Sequence, residues 1–574
     1  MFLPTTKPEM DKLHWDCLDV ILVTGDSYID HPSIGVSVIG KVLLDAGCRV
    51  GVIAQPDVGS DQDITRLGEP RLFWGVSGGS IDSMVANYTA SGKPRKQDDY
   101  TPGGDNCRRP NRAAIAYTNL IRRFFKNTRP IVLGGVEASI RRIAHYDFWS
   151  KSIRRSILFD AKADVLVYGM GERAVVELAE ALRDGRDYTR IRGICYIAKE
   201  KPSDSIELPS CREIMEDGAA FTDMFRQFCQ NSEGENARTI CQLQDTRYLV
   251  QNPPQPPLSP AELDHIYALD YERDQHPYYE RQGKVRALDT IRFSITTHRG
   301  CFGGCSFCSI GLHQGRAIVS RSEESIVEEA RLLTRHREFK GVIADVGGPT
   351  ANMYGFACSR KKAPFACKDR ACLLPEPCPN LRMAHGLQID LLRKLRRLPG
   401  IRHVFVASGI RHDMVMADEK YGRAYIEELV SHHISGQMKI APEHISPKVL
   451  RLMNKPGIAC LLAFKNLFYE INSACGKKQF LTYYFIAAHP GCTLEDMADL
   501  KRFSTEELCT NPEQVQIFTP LPSTWSGVMY YAETDPRDGS KIFVEMDSYR
   551  RQEQKDMLTA KRHIGKRKRA KVKK

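Results

Sequence analysis

The stretch RGCFGGCSFC, residues 299–308, places Cys301, Cys305 and Cys308 within eight residues. Structural zinc sites and fully ligated iron–sulfur clusters close with four protein ligands. A set that stops at three therefore leaves a metal position open. The residues between the cysteines include Gly303, Gly304 and Ser306, small enough for three thiolates to converge and for backbone N–H groups to approach sulfide. Directly before them, IRFSITT (291–297) has the β-branched and aromatic content of a strand, so the cysteines open the loop at a strand's C-terminal end.

Five further apolar segments follow: GVIADVGG (341–348), HVFVASGI (403–410), QMKIAPEH (437–444), LTYYFIAAHPG (481–491) and QVQIFTPLP (514–522). Helical patterns separate them. In SEESIVEEARLLTR (322–335), Ile326, Val327, Ala330 and Leu333 share one face, and Ser320 with Glu323 fits a capping box. Six βα units in series predict a partial parallel (βα)6 barrel, whose chemistry belongs at the C-terminal ends of its strands.

Cys-x3-Cys-x2-Cys, with Phe307 before the last cysteine, resembles the signature of the radical S-adenosylmethionine (SAM) superfamily. The resemblance implies a [4Fe-4S] cluster on Cys301, Cys305 and Cys308, with SAM on the iron that lacks a protein ligand. It also implies reductive cleavage of SAM to a 5′-deoxyadenosyl radical. Gly347, Gly348 and Pro349 resemble the family's Gly-Gly-Glu motif, with proline as a departure in the third place. With Phe307 they form the implied SAM-binding set. PEHISPKVLRLMNKPG (442–457), HPGCTLED (489–496) and TPLPST (519–524) resemble segments of the radical methylthiotransferase branch. The chain as a whole resembles the YgiQ-type radical SAM proteins. This implies a reduced donor such as flavodoxin or ferredoxin and leaves the substrate and the catalytic side chains open.

A second cluster, CSRKKAPFACKDRACLLPEPC (358–378), holds Cys358, Cys367, Cys372 and Cys378 just after the glycine motif. It reads either as an auxiliary iron–sulfur cluster or as a structural zinc site. Upstream, VILVTG, CRVGVIAQ, LFWGVS, PIVLGGVEAS and DVLVYGMGE alternate with helical patterns, predicting a doubly wound α/β sheet domain. IVLGGVEAS and VLVYGMGER resemble cobalamin-binding sheet domains. A cobalt-ligating version carries Asp-x-His-x-x-Gly, whereas IDHPSIG sets Asp30 beside His31 with three residues before Gly35. On that departure cobalamin is set aside as a cofactor. His444 and His489, at strand ends, are candidates for substrate contact or proton transfer, and Arg411 and His412 in SGIRHD for polar contact with the cofactor.

The 574 residues are expected to divide into a sheet domain (1–250), a linker and connecting segment (251–285) carrying the proline-rich NPPQPPLSP, the barrel (286–530) with insertion 358–378, and a C-terminal extension (531–574). At 42% hydrophobic and 26% charged residues the composition is that of a globular chain. No apolar run reaches membrane-spanning length and no secretory signal opens the chain, so no membrane partner and a cytoplasmic location are expected. The net charge of +12 is concentrated in KRHIGKRKRAKVKK (561–574), with nine Lys or Arg, a basic and disordered tail able to contact nucleic acid. Two alternatives to the leading reading follow: a non-catalytic, metal-containing RNA-binding protein, and a radical SAM enzyme that modifies RNA.

Overall fold

The computed structural model describes residues 1–232, 234, 237–360, 367 and 372–560. The basic tail 561–574 and parts of the cysteine-rich insertion lie outside the described residues.

The first half of the chain builds one nine-stranded mixed sheet. Its strands are β1 (Val20–Thr24), β2 (Val50–Ala54), β3 (Phe73–Ser77), β4 (Ile131–Gly134), β5 (Val165–Val167), β6 (Ile194–Ala198), β7 (Ile206–Leu208), β8 (Ile240–Gln244) and β9 (Arg247–Gln251). β1 to β5 are parallel and lie in the order 2-1-3-4-5, extended by β6, β9, β8 and β7. All five residues of β1 are buried, as expected of a strand covered on both faces. Its side chains alternate between two cores: Ile21 and Val23 pack on one face, Val20 and Leu22 on the other. In this order the chain reverses direction between β1 and β3, the switch point at which open α/β sheets leave a crevice beyond their strand C-termini.

The second half supplies the six parallel strand segments read from the sequence. They are β10 (Ser294–Thr296), a second strand broken at Ala344 into β11 (Val342–Ile343) and β12 (Asp345–Gly347), β13 (His403–Val404), β14 (Gln437–Glu443), β15 (Phe480–Ala487) and β16 (Gln514–Ile517). Pairing runs in sequence order, β10 to β12, β11 to β13, then through a parallel bridge Ile410–Ile440 to β14, β15 and β16. Strand residues Ile295, Val346, Ile440 and Phe485 join one core with the flanking helices.

Helix Glu323–Leu333 buries Ile326, Val327, Ala330 and Leu333, but its cap differs from the expected box. Ser322 is the N-cap, accepting from Ser325 N. Ser320 lies two residues before the N-cap, paired antiparallel with His298, and that register takes it out of capping range. After the barrel strands, helix Trp525–Ala532 packs Val528 and Tyr530 into the core of the N-terminal sheet, while helix Ser548–Thr559 buries Leu558 against the barrel. The chain after residue 520 thus ties its two halves together. Among the described residues no helix is long and apolar enough to cross a membrane.

Candidate functional site

The loop after β10 is pinned at its neck. His298 and Arg299 pair antiparallel with Ser320 and Val319, and Cys301 N donates to Gly315 O at 3.1 Å. At Gly300 the backbone has φ +87°, and a Cβ would lie 2.0 Å from Ala317 O. Only glycine serves there.

The rest of the loop hangs on backbone contacts from elsewhere in the barrel. Ser306 N donates to Met453 O and Ser526 N to Ser306 O, at 3.0 and 2.9 Å. Asn454 Nδ2 donates to Gly304 O at 2.9 Å. Asn454 belongs to the NKPG end of the quoted 442–457 segment, so that segment holds the cysteine loop.

Arg411, in the segment between β13 and the helix His412–Ala417, reaches the loop. Its Nη1 lies 3.3 Å from Gly303 O and 3.5 Å from Cys305 Sγ. Asp413 pairs with the same guanidinium, and Asn352 fixes the Arg411 backbone, accepting from its N at 2.9 Å and donating to its O at 3.0 Å. On the other side, Cys301 Sγ lies 3.4 Å from Thr350 Oγ1. Burial pushes the Cys308 thiol up to about 12, and the neighbouring Cys305 and Cys301 push the same way. Among the described residues no three Cys, His, Asp or Glu side chains are grouped as around a metal ion. Three cysteines of one loop, with a guanidinium against one sulfur, are a donor set that fits an iron–sulfur cluster.

The glycine motif stands beside this loop. Thr297 N donates to Gly347 O at 2.7 Å, with Thr297 Oγ1 at 3.2 Å. At Gly348 an added Cβ would meet the His298 ring at 2.5 Å, so the motif's second glycine is required by a neighbour that the motif does not contain.

Gly347, Gly348 and Pro349 line a cavity of about 660 Å³ between the two halves of the chain. Its other walls come from the C-terminal ends of β1 and β3 to β5 (Thr24, Ser77, Gly134, Val167) and from Ser309 and Ile310, directly after Cys308. Gly35 also lines it, and a Cβ there would meet no atom within 4 Å. Among the described wall residues, buried Glu172 Oε2 and His298 Nε2 lack a hydrogen-bond partner, and Asp26 Oδ1 has its ion pair with Arg109. Burial lowers His298 to about 4, so its ring is neutral.

Several residues singled out from the sequence stand away from this cavity. Phe307 packs between the core of the sheet and that of the barrel, edge-on to His489 at 6.3 Å. His489 is fully buried, with Nε2 2.7 Å from Ser526 Oγ and Nδ1 2.9 Å from Pro490 O. His444 accepts from Ser446 N at 3.0 Å and lies 3.5 Å from Cys492 Sγ. His412 is buried beside Phe464. None of these three histidines lines the cavity. His31 has Nδ1 2.7 Å from Ser33 Oγ and Nε2 3.1 Å from Arg273 Nη1, while Asp30 pairs with Lys41 at 3.1 Å.

Sequence reasoning missed Glu172, Arg299, His298 and Asn352. Arg299 was visible in the opening motif, and Glu172 in VLVYGMGER, but nothing in either segment paired them. Their buried ion pair joins the cysteine loop to the N-terminal half.

The second cysteine set rises from the same end of the barrel. Cys358 pairs across a short antiparallel ladder with Leu381, and Cys378 N donates to Cys372 O at 3.0 Å.

Comparison with known proteins bears on the family and the fold. The family model described as Radical SAM N-terminal matches residues 2–294, and that of the Radical SAM superfamily matches residues 295–504. A UPF0313 protein of Fusobacterium nucleatum is 55% identical over 562 residues, covering 98% of this chain and 99% of its own. One from Thermotoga maritima is 51% identical over 565 residues, with the same coverage. Among solved structures, the radical SAM methyltransferase TsrM from Kitasatospora setae, with cobalamin and a [4Fe-4S] cluster bound, aligns with a TM-score of 0.52 at 16% identity, over 89% of this chain and 77% of that one. The same enzyme with tryptophan and a SAM analogue bound gives 0.50 at 16% identity, over 88% and 74%.

This likeness of fold corrects one expectation. Cobalamin was set aside because Gly35 is displaced in IDHPSIG, but a chain with the same two-part fold holds cobalamin. The spacing of one loop is therefore no ground for exclusion. Matched along both halves by family models and over 98% of its length by relatives at 51–55% identity, the chain belongs to the radical SAM superfamily of enzymes, among its UPF0313 proteins.

Proposed function

We propose that the protein reductively cleaves SAM at a cluster held by Cys301, Cys305 and Cys308 and acts on a substrate bound in the cavity between its two halves. One observation carries the reading: the three-cysteine loop and Gly347–Gly348 are joined through Thr297 at the ends of adjacent strands, beside that cavity. Cys301, Cys305 and Cys308 would hold a [4Fe-4S] cluster, which would supply the one electron that splits the SAM sulfonium into methionine and a 5′-deoxyadenosyl radical. The chain's own part is to orient and enclose. Gly348 lets the glycine turn lie against His298, leaving the motif's backbone free for the methionyl group. Arg411 offsets thiolate charge beside Cys305. The walls between β1, β3 and the barrel would flank the substrate and the radical. A reduced flavodoxin or ferredoxin is the donor this chemistry calls for, and a reducing cytoplasm the compartment.

The cavity also fits cobalamin. It lies at the sheet's switch point, its wall includes Gly35 with open space around the Cβ position, and its buried Glu172 and His298 each offer an unpartnered polar atom. His31 is not its ligand, because both ring nitrogens are already engaged.

Anaerobically reconstituted protein is expected to show a four-iron electron-spin signal that changes on adding SAM, together with 5′-deoxyadenosine formation. Cys305→Ala should abolish both, and retention of both would overturn the assignment. Hydroxocobalamin is expected to co-elute with the protein and with His31→Ala alike; failure of the wild type to retain it would remove the cobalamin reading.

A further inference from the structure

The four cysteines of 358–378 take no part in the site described above, yet the fold seats them against it. Residues Ala357–Cys358 and Leu381–Arg382 form an antiparallel ladder that closes the insertion at its base. Cys378 N donates to Cys372 O at 3.0 Å, turning the chain back on itself inside that closure. Cys372 is buried in an apolar cluster with Phe302, the neighbour of Cys301, and both Cys301 and Cys358 pack against that cluster.

Arg316 bridges the two cysteine segments. The residue before it, Gly315, accepts from Cys301 N, while its own Nη2 lies 3.5 Å from Cys372 Sγ. A second guanidinium, Arg360, donates to Cys367 Sγ.

We propose that Cys358, Cys367, Cys372 and Cys378 ligate a second, closed iron–sulfur cluster beside the SAM-cleaving one. Three features of the donor set support it. Cys358 packs against the apolar cluster that holds Cys372, and Cys378 N is bonded to Cys372 O, so the base of the insertion gathers these cysteines. The two arginines offer N–H groups to sulfur and offset thiolate charge, which stabilises an anionic cluster and tunes its potential. Four cysteines fill four ligand positions, so this centre has no vacancy for SAM and is distinct from the first. Ligation releases the four thiol protons.

Iron, sulfide and zinc content and electron-spin spectra of the anaerobically reconstituted full-length protein test this directly. The wild type is expected to carry about eight iron and about eight sulfide. Cys372 is buried, so the test uses the less buried Cys367→Ser and Cys378→Ser, with circular dichroism to check the fold. Each should halve iron and sulfide while keeping the SAM-responsive signal. Cys301→Ala should also halve the iron but keep a signal that ignores SAM. That arm separates the two assignments, because loss of the first centre leaves the second countable. The proposal is overturned if Cys378→Ser leaves iron unchanged, or if it releases about one zinc per chain instead.

Discussion

The guanidinium of Arg299 forms a buried ion pair with the carboxylate of Glu172, with 8% and 4% of the side chains exposed. Arg299 begins the neck of the cysteine loop, and Glu172 opens the helix Glu172–Arg183 of the N-terminal half. A charge cluster of this kind is costly to break from one side, because the partner left behind stays buried and unpaired. Glu172→Gln is therefore expected to lower stability by about 3–5 kcal/mol in urea titration. A Glu172→Leu/Arg299→Met pair should recover much of that loss while still impairing cluster yield, since it removes the charge but not the loop's need for an anchor.

Gly348 is in contact with a ring that leaves no room for a methyl group. Gly348→Ala should cost about 1–3 kcal/mol by overpacking and weaken SAM binding, read as loss of the SAM-induced change in the electron-spin spectrum. Adding His298→Ala should restore stability, which would identify the ring as the source of the clash.

Asn352 satisfies both the N–H and the carbonyl of Arg411. Asn352→Ala strands buried backbone groups, at about 1–3 kcal/mol each, and lets Arg411 drift from Cys305. Thermal melts should fall, and the iron content after reconstitution should fall with them. An unchanged iron content would mean that Arg411 does not help hold the loop.

Buried histidines set an acid limit. Burial lowers His145 from 6.5 to about 4 and His489 from 6.5 to about 3. Between those values and 6.5 the unfolded chain binds protons that the folded chain does not, so stability falls as pH falls through this window. The loss is on the order of a few kcal/mol per histidine by pH 4. His145→Gln should flatten that slope in urea titrations at pH 4–7, and an unaltered slope would exclude it as a contributor.

Much of the architecture was legible because it rests on local patterns. Apolar runs ending in glycine marked the parallel strands, and their serial order marked the barrel. The expected cap at Ser320 failed because a pairing with His298, twenty-two residues away in sequence, claimed that residue first. The expected roles of His444 and His489 failed in a similar way: strand-end position was readable, but the direction of each ring was set by Ser526, Pro490 and Ser446. Arg411 and His412 were read together from SGIRHD, yet only Arg411 lies by the cysteine loop, because His412 turns into the packing beside Phe464.

Spacing along the chain marked the three cysteines and the strand that presents them, because eight consecutive residues keep them on one loop whatever packs around it. The cavity, the Arg299–Glu172 clamp and the crowding of Gly348 by His298 came only with tertiary structure. Each joins residues far apart in the chain or turned towards one another by packing, and no local period or spacing records which buried charge or ring will meet which partner once the two halves close.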